Sequence, residues 1–287
     1  MVIKYNFHTH SLFSDGSDEP EAYVLQAIKQ GFSALGFSEH SPLPIPNTFA
    51  LKETEAVQYV RVIRALQARY QDKISVFAGM EMDYIPGYSE GFAAKAAQWG
   101  LDYVIGSVHL VVNEAEEGLW FIDGPQQHIY DDGLQQCFGG DIRKAVGAYY
   151  AQLKRMVQTE EFSVVGHLDK VRMHNKNRYF REDESWYQAL ILDLLDEIAK
   201  RDIIVEANTR GLYKKRADDL FPSKWILAEI LKRDIPVMLS SDAHKPEEIS
   251  LMMAESYETL LEIGFTEEAL NMTHPIKHGF PQDPNRE

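Results

Sequence analysis

Apolar runs and amphipathic stretches alternate along the chain. VIKYNF at 2–7 reads as a strand. PEAYVLQAIKQG follows at helical spacing, with Pro20 early and Gly31 just past its end. SALGF at 33–37 is a strand, LKETEAVQYVRVIRALQARYQ a long helix, and ISVFAGM at 74–80 a strand again. A helix starts near Ser89, DYVIGSV at 102–108 is a strand, and a helix runs from Ile142 to Gln158. FSVVG at 162–166, DIIVEAN at 202–208 and IPVMLSS at 235–241 supply three more strands. They are separated by the helices ESWYQALILDLLDEIAKR and SKWILAEILKR, and a last helix covers 251–262.

Strands alternating with helices imply parallel strands joined by helical crossovers. About seven such units suit a barrel related to the TIM fold or an open doubly wound sheet. No GxGxxG follows the first strand, which weakens the dinucleotide-binding version. Two segments break the rhythm: the proline-rich SPLPIPNTFA at 41–50, and residues 111–140, which read as a long polar loop. One α/β domain over 1–270 and a tail over 271–287 are expected.

Composition narrows the chemistry. The 287 residues, 45% hydrophobic and 25% charged, describe a globular enzyme with a sizeable core. MVIKYNFHTHS lacks the apolar core of a signal peptide. No stretch approaches the ~20 apolar residues of a membrane span. The single cysteine, Cys137, leaves no intrachain disulfide. A cytoplasmic protein with no membrane association is the expectation. The net charge of −15 argues against nucleic acid as a partner, since the densest basic run, Lys214, Lys215 and Arg216, is followed at once by Asp218 and Asp219. A small phosphate ester stays compatible.

The candidate chemistry sits at strand ends. His8, His10, His40, His109, His167 and His244, six of the ten histidines, fall just after predicted strands, as do Glu81 and Asp242, with Asp15 nearby. In a parallel barrel those ends converge on one face. His128, His174, His274 and His278 do not follow the rule. In His-x-His on an extended strand both rings point to the same side. Imidazole and carboxylate suit zinc, iron or manganese. Nine donors exceed the needs of one ion, and a carboxylate such as Glu81 can bridge, so two to three divalent metals are expected. Any one strand-end histidine alone is more often an ordinary hydrogen-bonded residue. The convergent set outweighs that reading.

The ordered motifs HTHSLFSDG, SEH, GMEMDY, GSVH, GHLD and SSDAH resemble the PHP (polymerase and histidinol phosphatase) superfamily, in its stand-alone histidinol-phosphatase branch. The likeness runs from about residue 6 to about residue 250. It implies a distorted (β/α)7 barrel with a trinuclear site. His8, His10, Glu81 and Asp242 would hold one metal, Glu81, His109 and His167 a second, and Asp15, His40 and His244 a third.

The resemblance implies a phosphomonoesterase, with L-histidinol phosphate of histidine biosynthesis as the leading substrate. Metals of this kind activate water and take up phosphate charge. The catalytic roles fall to Asp242, as ligand or holder of the nucleophile's proton, to the bridging Glu81, and to His244 on the metal that faces the leaving group. Arg210, then Arg172 and Lys214, are the candidate phosphate clamps. Asp83, Glu114, Glu116 and Glu117 are candidates for the substrate's amine and imidazole. Glu39 is expected to support its neighbours rather than bind metal. Trp120, Phe121 and Tyr130 would either cover a substrate or pack their segment down. A PHP phosphoesterase acting on nucleotides, and a non-catalytic metal-binding module, are the alternatives.

Overall fold

The computed structural model describes residues 3–113 and 118–272. Seven parallel strands form one sheet in chain order: β1 (Tyr5–Asn6), β2 (Ala34–His40), β3 (Ser75–Asp83), β4 (Tyr103–Ser107), β7 (Val164–Val165), β8 (Ile204–Asn208) and β9 (Val237–Ser240). The other two strands, β5 (Leu110–Val112) and β6 (Leu119–Phe121), pair as a separate antiparallel hairpin. The sheet curls until its first and last strands meet. Thr9 bridges Ala243 in parallel, the His10 amide donates to the Ala243 carbonyl at 2.8 Å, and the Ala243 amide donates to the His8 carbonyl at 3.0 Å. The fold is therefore a nearly closed (β/α)7 barrel, not an open sheet.

Helices at Pro20–Lys29, Ala56–Tyr70, Phe92–Trp99, Ile142–Thr159, Ser185–Ile198, Lys224–Leu231 and Met253–Ile263 flank the barrel, each close to its expected place. Of these seven helix starts, that of Ile142–Thr159 carries a side-chain cap. Asp141 accepts from the amides of Arg143 and Lys144, both at 3.1 Å, satisfying two otherwise orphaned donors.

The barrel interior is read off in steps of two. On β3 Gly79, Glu81 and Asp83 face inward, and on β4 Tyr103, Ile105 and Ser107 do. Tyr103 fills the interior below Glu81. Its hydroxyl lies 2.7 Å from the Phe7 carbonyl and 3.0 Å from that of Phe37. A Cβ on Gly79 would stand 2.3 Å from the Tyr103 ring, so only glycine admits the tyrosine there. Above this apolar plug the inward positions turn polar: Glu81, Glu206, Asn208, Ser240 and Asp242.

Residues 111–140 depart from the expected polar loop. They contain most of the β5–β6 hairpin and a helix at Gln127–Phe138. Tyr130, Leu134, Cys137 and Phe138 are its buried face, at helical spacing. Trp120 is fully buried and donates from Nε1 to the Tyr130 carbonyl at 2.9 Å. Trp120 and Tyr130 thus pack the segment down, and neither covers a substrate. Glu114, Glu116, Glu117 and the tail from 273 onward lie outside the described residues.

Candidate metal centre

All nine strand-end donors meet at one mouth of the barrel. Four groups have their ligand atoms within 4.8 Å of one another: His10, Asp15, His40 and His244; His8, His10 and Asp242; His8, Glu81 and His167; and His40, Glu81 and His109. Glu81 is the hub. One oxygen lies 3.3 Å from His8 Nε2 and 3.0 Å from His40 Nδ1, the other 3.0 Å from His167 Nε2 and 3.5 Å from His109 Nε2. Asp242 Oδ1 is 3.5 Å from His10 Nε2, and Asp15 Oδ1 is 3.1 Å from His244 Nε2.

The donors fit cations rather than one another. His8 Nε2, both ring nitrogens of His10 and one oxygen of Glu81 are buried without any hydrogen bond. Buried polar atoms left in that state are rare and need a partner. His109 Nε2 and His167 Nε2 face each other at 3.4 Å, a geometry suited to a shared positive ion. The set fits two to three divalent ions, with nitrogen and oxygen ligands throughout.

Electrostatics agree. Burial opposes charge on Glu81, yet His8, His109 and His40 hold its carboxyl well below the usual range. Asp242 is likewise held well below it against burial, by His8 and Arg210. Burial, with His244 and His40 beside it, keeps His10 well below the ordinary imidazole value, so it presents lone pairs. His109 goes the other way, to about 10 despite burial, because Asp123, Glu81 and Asp83 surround it.

Further groups aim the ligands. Glu206 Oε1 sits 2.5 Å from His8 Nδ1, and its other oxygen accepts from the His167 amide at 2.9 Å. A proton on Nδ1 leaves His8 Nε2 free for a metal. Asp83 accepts from the His109 amide at 2.9 Å and lies 3.4 Å from its Nδ1. Ser107 donates to Glu81 at 2.7 Å. Glu39 accepts from the Ser11 amide at 3.0 Å and from the hydroxyls of Ser11 and Ser14, bracing the turn after β1.

A family model for the PHP domain matches residues 6–210. This chain belongs to the PHP domain family. It is 28% identical over 261 residues to a "Probable histidinol-phosphatase" of Deinococcus radiodurans, covering 90% of this chain and 92% of that one. It is 26% identical over 274 residues to the histidinol-phosphatase of Bacillus subtilis, covering 90% and 98%. A crystal structure of histidinol phosphate phosphatase from Lactococcus lactis, complexed with zinc, L-histidinol and phosphate, superposes with a TM-score of 0.67 at 23% identity, over 93% of this chain and 95% of that one. At that identity the superposition establishes the shared fold.

In this PHP domain a cavity of about 320 Å³ opens over the cluster. Arg210 lines it, donating from Nη1 to the Asp242 carbonyl at 2.6 Å with His244 Nδ1 at 2.8 Å. The other two expected clamps lie elsewhere. Arg172 is buried against Asp169 at 2.6 Å, stacks on Phe221 and donates to the Leu220 carbonyl. Lys214 is bonded to Glu248. The cavity's other cations are Lys170 and Arg216, and Asp123 lines it too. Sequence reasoning passed over all three, as it did Glu206. Phe121 does reach the cavity, stacked on Phe49 at 5.7 Å. No helix among the described residues is long and apolar enough to cross a membrane.

Proposed function

We propose that this PHP domain is a metal-dependent phosphomonoesterase that hydrolyses L-histidinol phosphate to L-histidinol and phosphate, in histidine biosynthesis. The observation that carries the reading is the nine-donor cluster facing a small cavity that also holds Lys170, Arg210 and Arg216. The relatives named as histidinol-phosphatases over nearly their whole length support the substrate.

Divalent metals there supply a Lewis acid for the phosphoryl group and lower the pKa of water toward neutrality. The chain's own residues do the rest. Glu81, which belongs to two of the four donor groups, would be a ligand shared between ions. Asp242 turns Oδ1 to His10 at 3.5 Å and Oδ2 to Lys170 at 3.7 Å, and this carboxylate, kept charged by its neighbours, would accept a hydrogen bond from the attacking water and orient it. His244, Asp15 and His40 would hold a further ion, which would take up charge on the leaving oxygen. Arg210, Lys170 and Arg216 meet phosphate charge. Asp123 and the stacked Phe49–Phe121 pair line the same cavity and would receive the amine and imidazole of the substrate. A cavity of this size suits a small ester rather than a nucleic acid.

The test is phosphate release from L-histidinol phosphate beside nucleotide and sugar phosphates, with metal content measured on the same sample. Preference for histidinol phosphate with about two to three metals per chain is expected. Turnover of other esters alone moves the substrate elsewhere. No turnover of any ester by the metal-filled protein removes the enzymatic reading.

A further inference from the structure

Beside the metal cavity lies a second one of about 440 Å³, and Arg216 lines both. Its charged lining is Arg172, Lys176, Lys215 and Arg216 against Glu182 and Asp218. Three of these six are already engaged, Asp218 by Arg172 Nη1 at 3.9 Å. Arg172 is tied to Asp169 and Phe221. Glu182 accepts from the Ser223 hydroxyl at 2.6 Å and Trp225 Nε1 at 2.8 Å. By contrast, among the described residues no hydrogen bond or ion pair engages the Arg216 guanidinium or the ammonium groups of Lys176 and Lys215. This chain carries 44 acids to 29 bases, so partners for a cation are plentiful. A half-buried arginine left unpaired in such a chain faces a place where an anion fits.

The backbone marks the same wall. Lys176, Asn177 and Lys215 line the cavity with φ of 44°, 60° and 56°, three of the six non-glycine residues with positive φ among those described. Left-handed backbone at lysine costs free energy and gathers where function holds it. Here two separate turns, after β7 and after β8, meet at a common cavity, with Lys176 and Lys215 exposed along its lining and Arg216 half-buried.

We propose that this second cavity is an anion site, distinct from the metal centre, that takes a phosphate-type oxyanion on Arg216, Lys176 and Lys215. Its place beside a centre read above as a phosphatase gives two sources for the oxyanion: phosphate released by the reaction, or a second phosphate on a larger ester. Arg216, on the wall between the cavities, is the group that passes from one to the other.

Equilibrium dialysis of the metal-loaded protein against radiolabelled inorganic phosphate tests the site without reference to turnover. About two phosphates per chain are expected for the parent protein and about one for the Lys176→Gln/Lys215→Gln variant, as each lost charge-assisted bond weakens binding roughly tenfold. Metal content and far-UV circular dichroism check that the variant is intact, and Lys176→Gln alone, which leaves the metal cavity untouched, repeats the measurement should the double variant fold poorly. One phosphate per chain in every protein overturns the proposal. The second arm compares a bisphosphate with a monophosphate ester. A preference for the bisphosphate that drops roughly tenfold in the variant assigns the site to the substrate's second phosphate. A lost dialysis equivalent with no such preference assigns it to free phosphate. A protein that turns over no ester refutes the phosphatase reading, while dialysis still decides the anion site.

Discussion

The floor and the wall of the metal cavity are built on different terms. The floor consists of strand ends, and its ligands are braced from behind by other buried side chains: Glu206 on His8, Asp83 on His109, Ser107 on Glu81. The wall comes from the inserted hairpin and from short turns after β7 and β8, and supplies Phe121, Asp123, Lys170, Arg210 and Arg216. A barrel fixes strand ends rigidly, while the segments between them are free to vary. On the function proposed above, turnover is set on the floor and the choice of ester on the wall. Substitutions on the two sides should differ in kind as well as in size.

The largest effect is expected at the hub of the floor. Glu81→Gln keeps the volume but removes the charge that five histidines face. Activity should fall by at least about 10³-fold, the scale of losing transition-state charge stabilisation, with bound metal reduced and far-UV circular dichroism unchanged. Full activity in this variant would end its assignment as the shared ligand. One layer back, Glu206→Gln should cost about 10- to 100-fold in metal affinity, read by competition with chelators of graded strength. Its carboxylate, held below the usual range against burial by His8, is part of the charge that retains the cations. Unchanged metal affinity would reduce Glu206 to a packing role.

The same division explains what could be read in the sequence. The floor was legible because a parallel barrel imposes one rule, strand end to active face, on residues far apart in the chain. The strand pattern alone left a barrel and an open sheet both possible, since Thr9 and Ala243 meet only in three dimensions, and it was the family resemblance that pointed to the barrel. Glu206 carried a usable signal, a lone acid inside the apolar strand DIIVEAN, two residues before Asn208 and so on the same inward face. The wall obeys no period. In LDKVRM the expected clamp was Arg172, yet the 3-10 turn at Lys170–Arg172 sends Lys170 to the cavity and Arg172 back to Asp169. In YKKR the expected clamp was Lys214, which pairs with Glu248 while Arg216 lines the cavity. Both misses are two residues long. Irregular turns have no repeat from which direction can be inferred. The insert was misread for the opposite reason: its polar composition masked the helical spacing of Tyr130, Leu134, Cys137 and Phe138.

The smallest expected effect is the sharpest test of floor against wall, and it falls on Asp123. This carboxylate lines the cavity 3.7 Å from Lys170 Nζ and 3.8 Å from His109 Nε2, with Oδ1 buried and without a hydrogen bond. Lys170 and His109, acting against burial, hold it below the usual carboxylate range, so it presents a full negative charge. Its Oδ2 lies beside Lys170 and His109, while Oδ1 is an unbonded anionic acceptor that suits the ammonium group of histidinol phosphate. Asp123→Asn keeps the shape and removes the charge. KM for histidinol phosphate should rise about tenfold, the scale of one charge-assisted hydrogen bond, with kcat little changed. A sugar phosphate, which has no amine, should show no such rise. The split between KM and kcat separates the two regions because uniform binding energy appears in KM, while a metal-supporting role lowers kcat for every ester. An equal fall in kcat for both esters, accompanied by lost metal, would place Asp123 with His109 on the floor, and the boundary between the two regions would have to be redrawn through that residue.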